Sequence, residues 1–151
     1  SYVIDLNIFM SLVKKRSGEE LITNIIRAAL SGEFTLFVTP EFKEELLRHK
    51  KDDDVLLNLV ENTLPVLPAI PNAELTSIES QIRADVFPNR SSSRKKSSND
   101  TSDIRHLAYC IKHRKSAFLT EEKAILNASK QLQEKYNLSV LSPNDFRIEH
   151  L

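Results

Sequence analysis

The sequence predicts an α/β protein of three layers, in which a mostly parallel sheet of about five strands lies between two layers of helices. Two observations support this prediction. Short runs of β-branched and aromatic residues alternate along the chain with longer amphipathic segments. Several of these runs are apolar throughout, which is typical of strands buried on both faces of a parallel sheet. At 151 residues the chain is long enough for one domain with a real core, so residues 1–151 are expected to form a single domain.

Short apolar runs are the candidate strands. The first, residues 2–6, reads Tyr-Val-Ile-Asp-Leu, and the second, 34–39, precedes a proline that suits the first turn of a helix. The segment 64–71 contains too many prolines for a central strand and leaves room only for a short edge strand at 66–67. The last two predicted strands are 117–120 and 139–142.

Apolar residues at helical spacing predict the helices between these strands. The clearest case is 19–30, where Leu21 and Ile25 belong to one apolar face. The predicted helices are 8–15, 19–30, 40–50 with Thr39 as its N-cap, 53–63, 73–86, 101–114 and 121–136. The segment 88–99 is rich in serine and basic residues and is predicted to be a loop, and 143–151 is predicted to be a tail.

Composition and charge argue against several classes of protein. No apolar run approaches the roughly 20 residues that cross a bilayer, and no signal-peptide pattern opens the chain, so we expect no membrane partner. The single cysteine, Cys110, excludes an internal disulfide and a thiolate cluster and favours a reducing, cytoplasmic setting. Lys plus Arg and Asp plus Glu number 21 each, and this zero net charge counts against a module that binds nucleic acid through bulk positive charge.

Carboxylates follow several of the predicted strands. Asp5 ends the first strand, Glu45 lies one turn into the helix after the second, and Glu122 follows another strand. Asp100 and Asp103 stand at the predicted start of a helix. In a parallel sheet with right-handed crossovers these positions converge on one edge. Carboxylates at such distances repel one another unless a cation neutralises them, and Mg²⁺ or Mn²⁺ prefers carboxylate oxygens.

Each of these acids also has a purely structural interpretation when it is considered alone. Asp5 fits a helix cap, and Glu45 fits a solvated helix face. Asp100 fits an N-cap, while Asp103 and Glu122 fit the acids that a helix dipole favours in the first turn. The structural interpretation is the commoner one for each residue, whereas the joint convergence on one edge favours a metal site.

Several motifs, in order along the chain, resemble those of the PIN domain family. The segment 3–7 reads Val-Ile-Asp-Leu-Asn and is similar to the family's opening strand, in which a catalytic Asp is followed two positions on by a small polar residue. The later resemblances lie in 39–46, 100–108, 118–126 and 142–146. The chain departs from the family pattern at Glu122, where Asp is usual, and in the longer, more basic loop before Asp100.

The resemblance implies a metal-dependent endoribonuclease that hydrolyses RNA phosphodiester bonds. It implies that Asp5, Glu45 and Asp103 are catalytic acids and ligands of Mg²⁺ or Mn²⁺, which activates a water molecule. Asp100 is implied as a further metal ligand, and Glu122 as a further catalytic acid. The residues expected to position water or RNA are Asn7, Thr120, Arg94, Lys95 and Lys96.

Basic residues near the acids are candidates for holding RNA phosphates. Besides Arg94, Lys95 and Lys96, Arg90 lies in the same loop, and residues 14–16 lie at the end of the first predicted helix. Exposed basic runs are as often only solvated surface, so both interpretations remain open. None of the 4 histidines shows a convincing metal-ligand spacing, and His49, which shares a face with Glu45, is interpreted as structural or surface.

Two other interpretations of the same chain remain open. A catalytically degenerate PIN-like module would keep the fold and bind RNA or a protein partner, and Glu122 is its best support. A receiver-like phosphorelay domain also has an Asp after a parallel strand, but it needs a second acid near the first strand and an Asp ending the third, and the chain has neither. The PIN family includes toxins of toxin–antitoxin pairs and homodimers, so the expected partners are RNA, an antitoxin and a second copy of the chain.

Overall fold

Parallel strands form the central sheet of the computed structural model, which describes residues 1–8, 19–48, 62–88 and 94–150. The strands are β1 (Tyr2–Ile4), β2 (Leu36–Phe37), β3 (Ala117–Leu119) and β4 (Ser139–Leu141). Their spatial order is β2-β1-β3-β4, and every neighbouring pair is parallel. Ile4 lies opposite Leu119, and Leu119 lies opposite Leu141, so β1, β3 and β4 end level with one another.

The helices alternate with these strands as predicted. They are α1 (Glu19–Leu30), α2 (Pro40–Arg48), α3 (Asn72–Val86), α4 (Arg94–Lys112), α5 (Lys123–Asn127), α6 (Ser129–Tyr136) and α7 (Pro143–His150). Thr39 is the N-cap of α2, because its Oγ1 accepts the backbone N–H of Phe42 at 3.1 Å. Most of the predicted helices 8–15 and 53–63 lies outside the described residues. No helix within the described ranges has both the length and the apolar character needed to cross a bilayer.

Helices cover both faces of the sheet because its strands are apolar on both faces. Ile4 packs in one buried cluster with residues of α1, α2 and α7, among them Ile22 and Phe42. Val3 belongs to a second cluster with residues of α3 and α4, among them Ile82 and Leu107. Successive residues of a strand point to opposite faces, so these two clusters are the two sides of one sheet. The predicted three-layer α/β architecture is confirmed.

The proline-rich segment after α2 extends the sheet at the edge where β2 lies. Val38 forms an isolated parallel bridge with Val66. The N–H of Val38 donates to the carbonyl of Pro65 at 3.0 Å, and the N–H of Leu67 donates to the carbonyl of Val38 at 2.9 Å. Pairing stops there, as expected where prolines remove backbone donors. The prediction of a short edge strand at 66–67 is confirmed as this single bridge.

Two predicted boundaries near the candidate site were wrong. α4 begins at Arg94 rather than at Thr101, so the second half of the predicted 88–99 loop is helical. Arginine and lysine are good helix formers, and the low-complexity composition concealed this preference. The predicted helix 121–136 is two helices that meet at Ala128, whose carbonyl accepts the N–H of Leu132 at 3.0 Å.

The predicted tail was also wrong, because it forms helix α7. Ser142 and Asp145 form a reciprocal capping box, in which the N–H of Asp145 donates to Ser142 Oγ and the N–H of Ser142 donates to Asp145 Oδ2, both at 3.2 Å. Pro143 occupies the first helical position, where its missing N–H costs nothing. Phe146 then packs edge-to-face against Tyr2 and Phe34, with ring centroids 5.1 and 5.0 Å apart.

Replacing Phe146 by alanine is expected to destabilise the whole domain. The side chain is fully buried, so the substitution opens a cavity and should lower the free energy of unfolding by about 3–5 kcal/mol. Denaturant unfolding followed by circular dichroism measures the change. Asn144→Ala, an exposed position on the same helix, is the matched control and should change stability by no more than about 0.5 kcal/mol. A Phe146→Ala protein as stable as this control would show that α7 does not belong to the core.

Candidate active site

A buried carboxylate and a threonine lie side by side where the two central strands end. Asp5 follows β1 and is 2% exposed, and Thr120 follows β3 and is fully buried. The backbone N–H of Asp5 donates to the carbonyl of Leu119 at 2.9 Å, so the strand pairing continues into the site. The hydroxyl of Thr120 donates to Asp5 Oδ2 at 2.8 Å. The in-register pairing of β1 with β3 therefore fixes the position of the Asp5 carboxylate.

Thr120 also shapes the loop that carries Glu122. Its Oγ1 accepts the backbone N–H of Glu122 at 3.0 Å while its hydrogen is donated to Asp5. One hydroxyl thus holds both the acid after β1 and the turn after β3. On the other side of Asp5, a backbone hydrogen bond from Asn7 reaches the same carboxylate. The predicted residues Asp5, Asn7, Thr120 and Glu122 are therefore neighbours at the end of the sheet.

Helices α2 and α4 bring Glu45 and a histidine to the same place. Nε2 of His106 lies 2.5 Å from Glu45 Oε1 and 3.9 Å from Asp5 Oδ1. Nδ1 of the same ring lies 2.6 Å from Oγ1 of Thr39, the cap of α2. The ring is completely buried. His106 was missed as a site residue because its importance depends on contacts between distant helices.

Asp103 lies about one turn before His106 on α4 and is only partly exposed. Burial raises the pKa of Asp103 to about 9, and the carboxylates of Asp5, Glu122 and Glu45 act in the same direction, whereas His106 opposes them. Asp103 therefore holds a proton at neutral pH in the absence of a cation. The same interactions show that four of the predicted acids are close enough to influence one another.

Asp5 and His106 are also perturbed by their surroundings. Burial raises the pKa of Asp5, and Glu45 adds to the effect, while His106 and the hydrogen bond from Thr120 oppose it. Burial alone would lower the pKa of His106, but its hydrogen bond to Glu45 and the charges of Asp5, Glu45 and Asp103 outweigh burial and raise it to about 9. The site therefore crowds negative charge, and a buried imidazolium offsets part of it.

The remaining predicted site residues are placed as follows. Asp100 is 4% exposed and lies inside α4, so the prediction that it caps a helix was wrong. The first turn of α4 carries Arg94, Lys95 and Lys96, whose side chains lie outside what the structure describes. The basic residues 14–16 and Arg90, together with His49, lie outside the described residues.

The donors fit a hard divalent cation in their chemistry. Mg²⁺ and Mn²⁺ prefer carboxylate oxygens, and the raised pKa of Asp103 is the electrostatic cost that a bound cation would offset. The arrangement of these described donors in space is not that of a complete metal site. Within the part of the chain that the structure describes, no three His, Cys, Asp or Glu side chains are arranged as a ready metal-binding group.

The parallel sheet with helices on both faces is an α/β domain, and interacting carboxylates lie close to the ends of its two central strands. Residues 1–124 match the model of the PIN domain, and the chain belongs to the PIN domain family. The matched range contains Asp5, Glu45, Asp100, Asp103 and Glu122. No curated protein matches the chain closely enough to count as a relative. The match confirms the resemblance to the PIN domain family, and the receiver-like interpretation is set aside. PIN domains are generally nucleases.

Proposed function

We propose that this chain is an endoribonuclease that hydrolyses RNA phosphodiester bonds with the help of Mg²⁺ or Mn²⁺. The observation that carries the proposal is the group of mutually interacting acids at the end of β1 and β3, where burial and the neighbouring carboxylates raise the pKa of Asp103 to about 9. Membership of a family that consists generally of nucleases supports the same reaction class.

In this proposal Asp5, Glu45 and Asp103 hold the metal, and Asp100, three residues before Asp103 on α4, is a further candidate ligand. The bound metal would supply an activated water and offset charge on the leaving oxygen. Glu122 is a further catalytic acid beside these ligands. Its side chain is longer than that of the usual Asp, so its carboxylate takes the same position only if its backbone lies farther from the site. Burial of Asp5 excludes water from its carboxylate and strengthens its interaction with a cation.

Substrate contacts are assigned by position. Thr120 already donates to Asp5, so we assign it to holding that acid rather than to binding RNA. Asn7, next to Asp5, remains a candidate for positioning water or phosphate, and the basic first turn of α4, residues 94–96, remains a candidate for RNA phosphates. An antitoxin partner, a homodimer and a toxin role stay predictions from the family resemblance. A cytoplasmic location stays a prediction from the single cysteine.

A second candidate function keeps the fold without catalysis. Glu122 stands where the family usually has Asp, and the described side chains do not form a ready metal-binding group. A degenerate PIN domain that binds RNA or protein would show both features. The two proposals differ in one measurable respect, which is metal-dependent cleavage.

The deciding experiment incubates the full chain with labelled single-stranded and structured RNAs in Mg²⁺, in Mn²⁺ and in chelator. We expect internal cleavage that requires metal and is lost in Asp5→Asn, which removes the charge from the central carboxylate. Glu134→Gln, an exposed acid on α6, is the matched control and should cleave like the unmodified protein. A folded protein that binds these RNAs but cleaves none of them in either metal would instead support the binding module.

A further inference from the structure

His106 is a buried ring inside the acidic site to which the proposed reaction gives no role. Both of its nitrogens are engaged, Nδ1 with Thr39 at 2.6 Å and Nε2 with Glu45 at 2.5 Å. One face stacks on Phe118, with centroids 6.0 Å apart and planes 26° from parallel. The ring is thus fixed at two edges and one face, which is the environment of a side chain that orients others.

The directions of the two hydrogen bonds of His106 follow from the tautomer of its ring. Oγ1 of Thr39 accepts the N–H of Phe42, and its own hydrogen is free to be donated to Nδ1 of a neutral ring. That tautomer carries its hydrogen on Nε2, which then donates to Glu45. A protonated ring also carries a hydrogen on Nε2. Nε2 of His106 therefore donates to Glu45 both in this neutral tautomer and in the protonated ring.

We infer that His106 is a positioning residue that holds Glu45 beside Asp5 for the metal, through the chain Thr39–His106–Glu45. This inference rests on the proposed function. Oε1 of Glu45 accepts from His106, which leaves Oε2 for a cation, and Nε2 is only 3.9 Å from Asp5 Oδ1, so the two carboxylates stay adjacent. Without this hydrogen bond, the rotatable Glu45 side chain would have to be ordered by the metal itself.

The test uses a pair of amides that imitate different ring nitrogens. The side-chain nitrogen of His106→Gln can reach the place of Nε2 and donate to Glu45, whereas the shorter His106→Asn reaches only the place of Nδ1, next to Thr39. Binding of Mn²⁺ to the full chain is measured by calorimetry without RNA. We expect His106→Asn and His106→Leu to weaken binding roughly 10–100-fold, and His106→Gln to retain more of the affinity than either.

A double-mutant cycle with Glu45→Gln separates the positioning of Glu45 from a general loss of structure at the site. Once Glu45 no longer supplies a carboxylate, adding His106→Asn should change Mn²⁺ affinity by less than about twofold, because the two residues act as one unit. If His106→Leu does not fold, the comparison of His106→Gln with His106→Asn still tests the inference. His106→Asn binding as tightly as His106→Gln, with both folded, would overturn the inference and leave the proposed function intact. Absence of Mn²⁺ binding by the unmodified protein would overturn both.

Discussion

Asp103→Asn is expected to stabilise the metal-free protein and at the same time to abolish its metal-dependent cleavage of RNA. The raised pKa of about 9 means that the folded state disfavours the ionised carboxylate that the unfolded chain carries at neutral pH. A neutral asparagine of nearly the same shape removes this penalty. Because Asp103 is partly exposed, we expect a gain of about 2 kcal/mol at pH 7, or about 4–8 °C in Tm.

The difference in stability between the two proteins is expected to depend on pH. Between the ordinary pKa of 3.8 and the raised value of about 9, the folded protein holds a proton that the unfolded chain has released, so the stability of the metal-free protein falls as pH rises. Asp103→Asn lacks that dependence. Urea unfolding in chelator at pH 5, 7 and 9 should therefore show a stability difference that grows with pH. Equal stability of the two proteins at all three pH values would show that Asp103 is not under electrostatic strain.

Bound metal is expected to reverse the order of thermal stability of the unmodified protein and Asp103→Asn. Saturating Mn²⁺ should raise the Tm of the unmodified chain, because a ligand that binds only the folded state stabilises it, and should leave Asp103→Asn unchanged. Cleavage should fall by at least about a hundredfold, since loss of a ligand costs more than loss of an outer-shell partner, which costs about 10–100-fold. Glu134→Gln controls for the removal of one negative charge far from the site.

Local rules were sufficient to predict the part of the site that is built on strand ends. Asp5 and Thr120 follow β1 and β3, and parallel neighbours that end level must bring such residues together. Glu45 required only one further step, because Thr39 and Pro40 start α2 directly after the bridge at Val38. These relations depend on residues close in sequence and on the geometry that every parallel sheet shares.

The role of His106 could not be predicted in that way. Its partner Glu45 is 61 positions away, and the contact depends on how α4 packs against α2 rather than on any spacing within one segment. The search for metal-ligand spacing overlooked it, since a histidine that orients a carboxylate leaves no pattern in sequence. By contrast, helix α7 was predictable, because Ser142 and Asp145 stand at capping-box spacing in the sequence, but this signal was overlooked and the segment was predicted to be a tail.

The affinity for Mg²⁺ is expected to rise about tenfold for each pH unit between pH 7 and 9. With a pKa of about 9, Asp103 holds a proton in the metal-free protein, and the cation must displace that proton before it can bind the carboxylate. One proton released per ion gives a factor of ten per unit, and the slope should flatten above pH 9. Calorimetric titration across this range, repeated in buffers of different ionisation enthalpy, yields both Kd and the number of protons released.

Two comparisons make this expectation specific to Asp103. If Asp103→Asn retains weak binding, its Kd should vary much less with pH, because the group whose proton was displaced is gone. His106, whose pKa is raised to about 9, loses positive charge over the same range, and it accounts for the pH dependence that remains in Asp103→Asn. A Kd independent of pH, with no proton released, would mean that Asp103 is ionised before the metal binds and that the acids are farther apart in solution than in the structure.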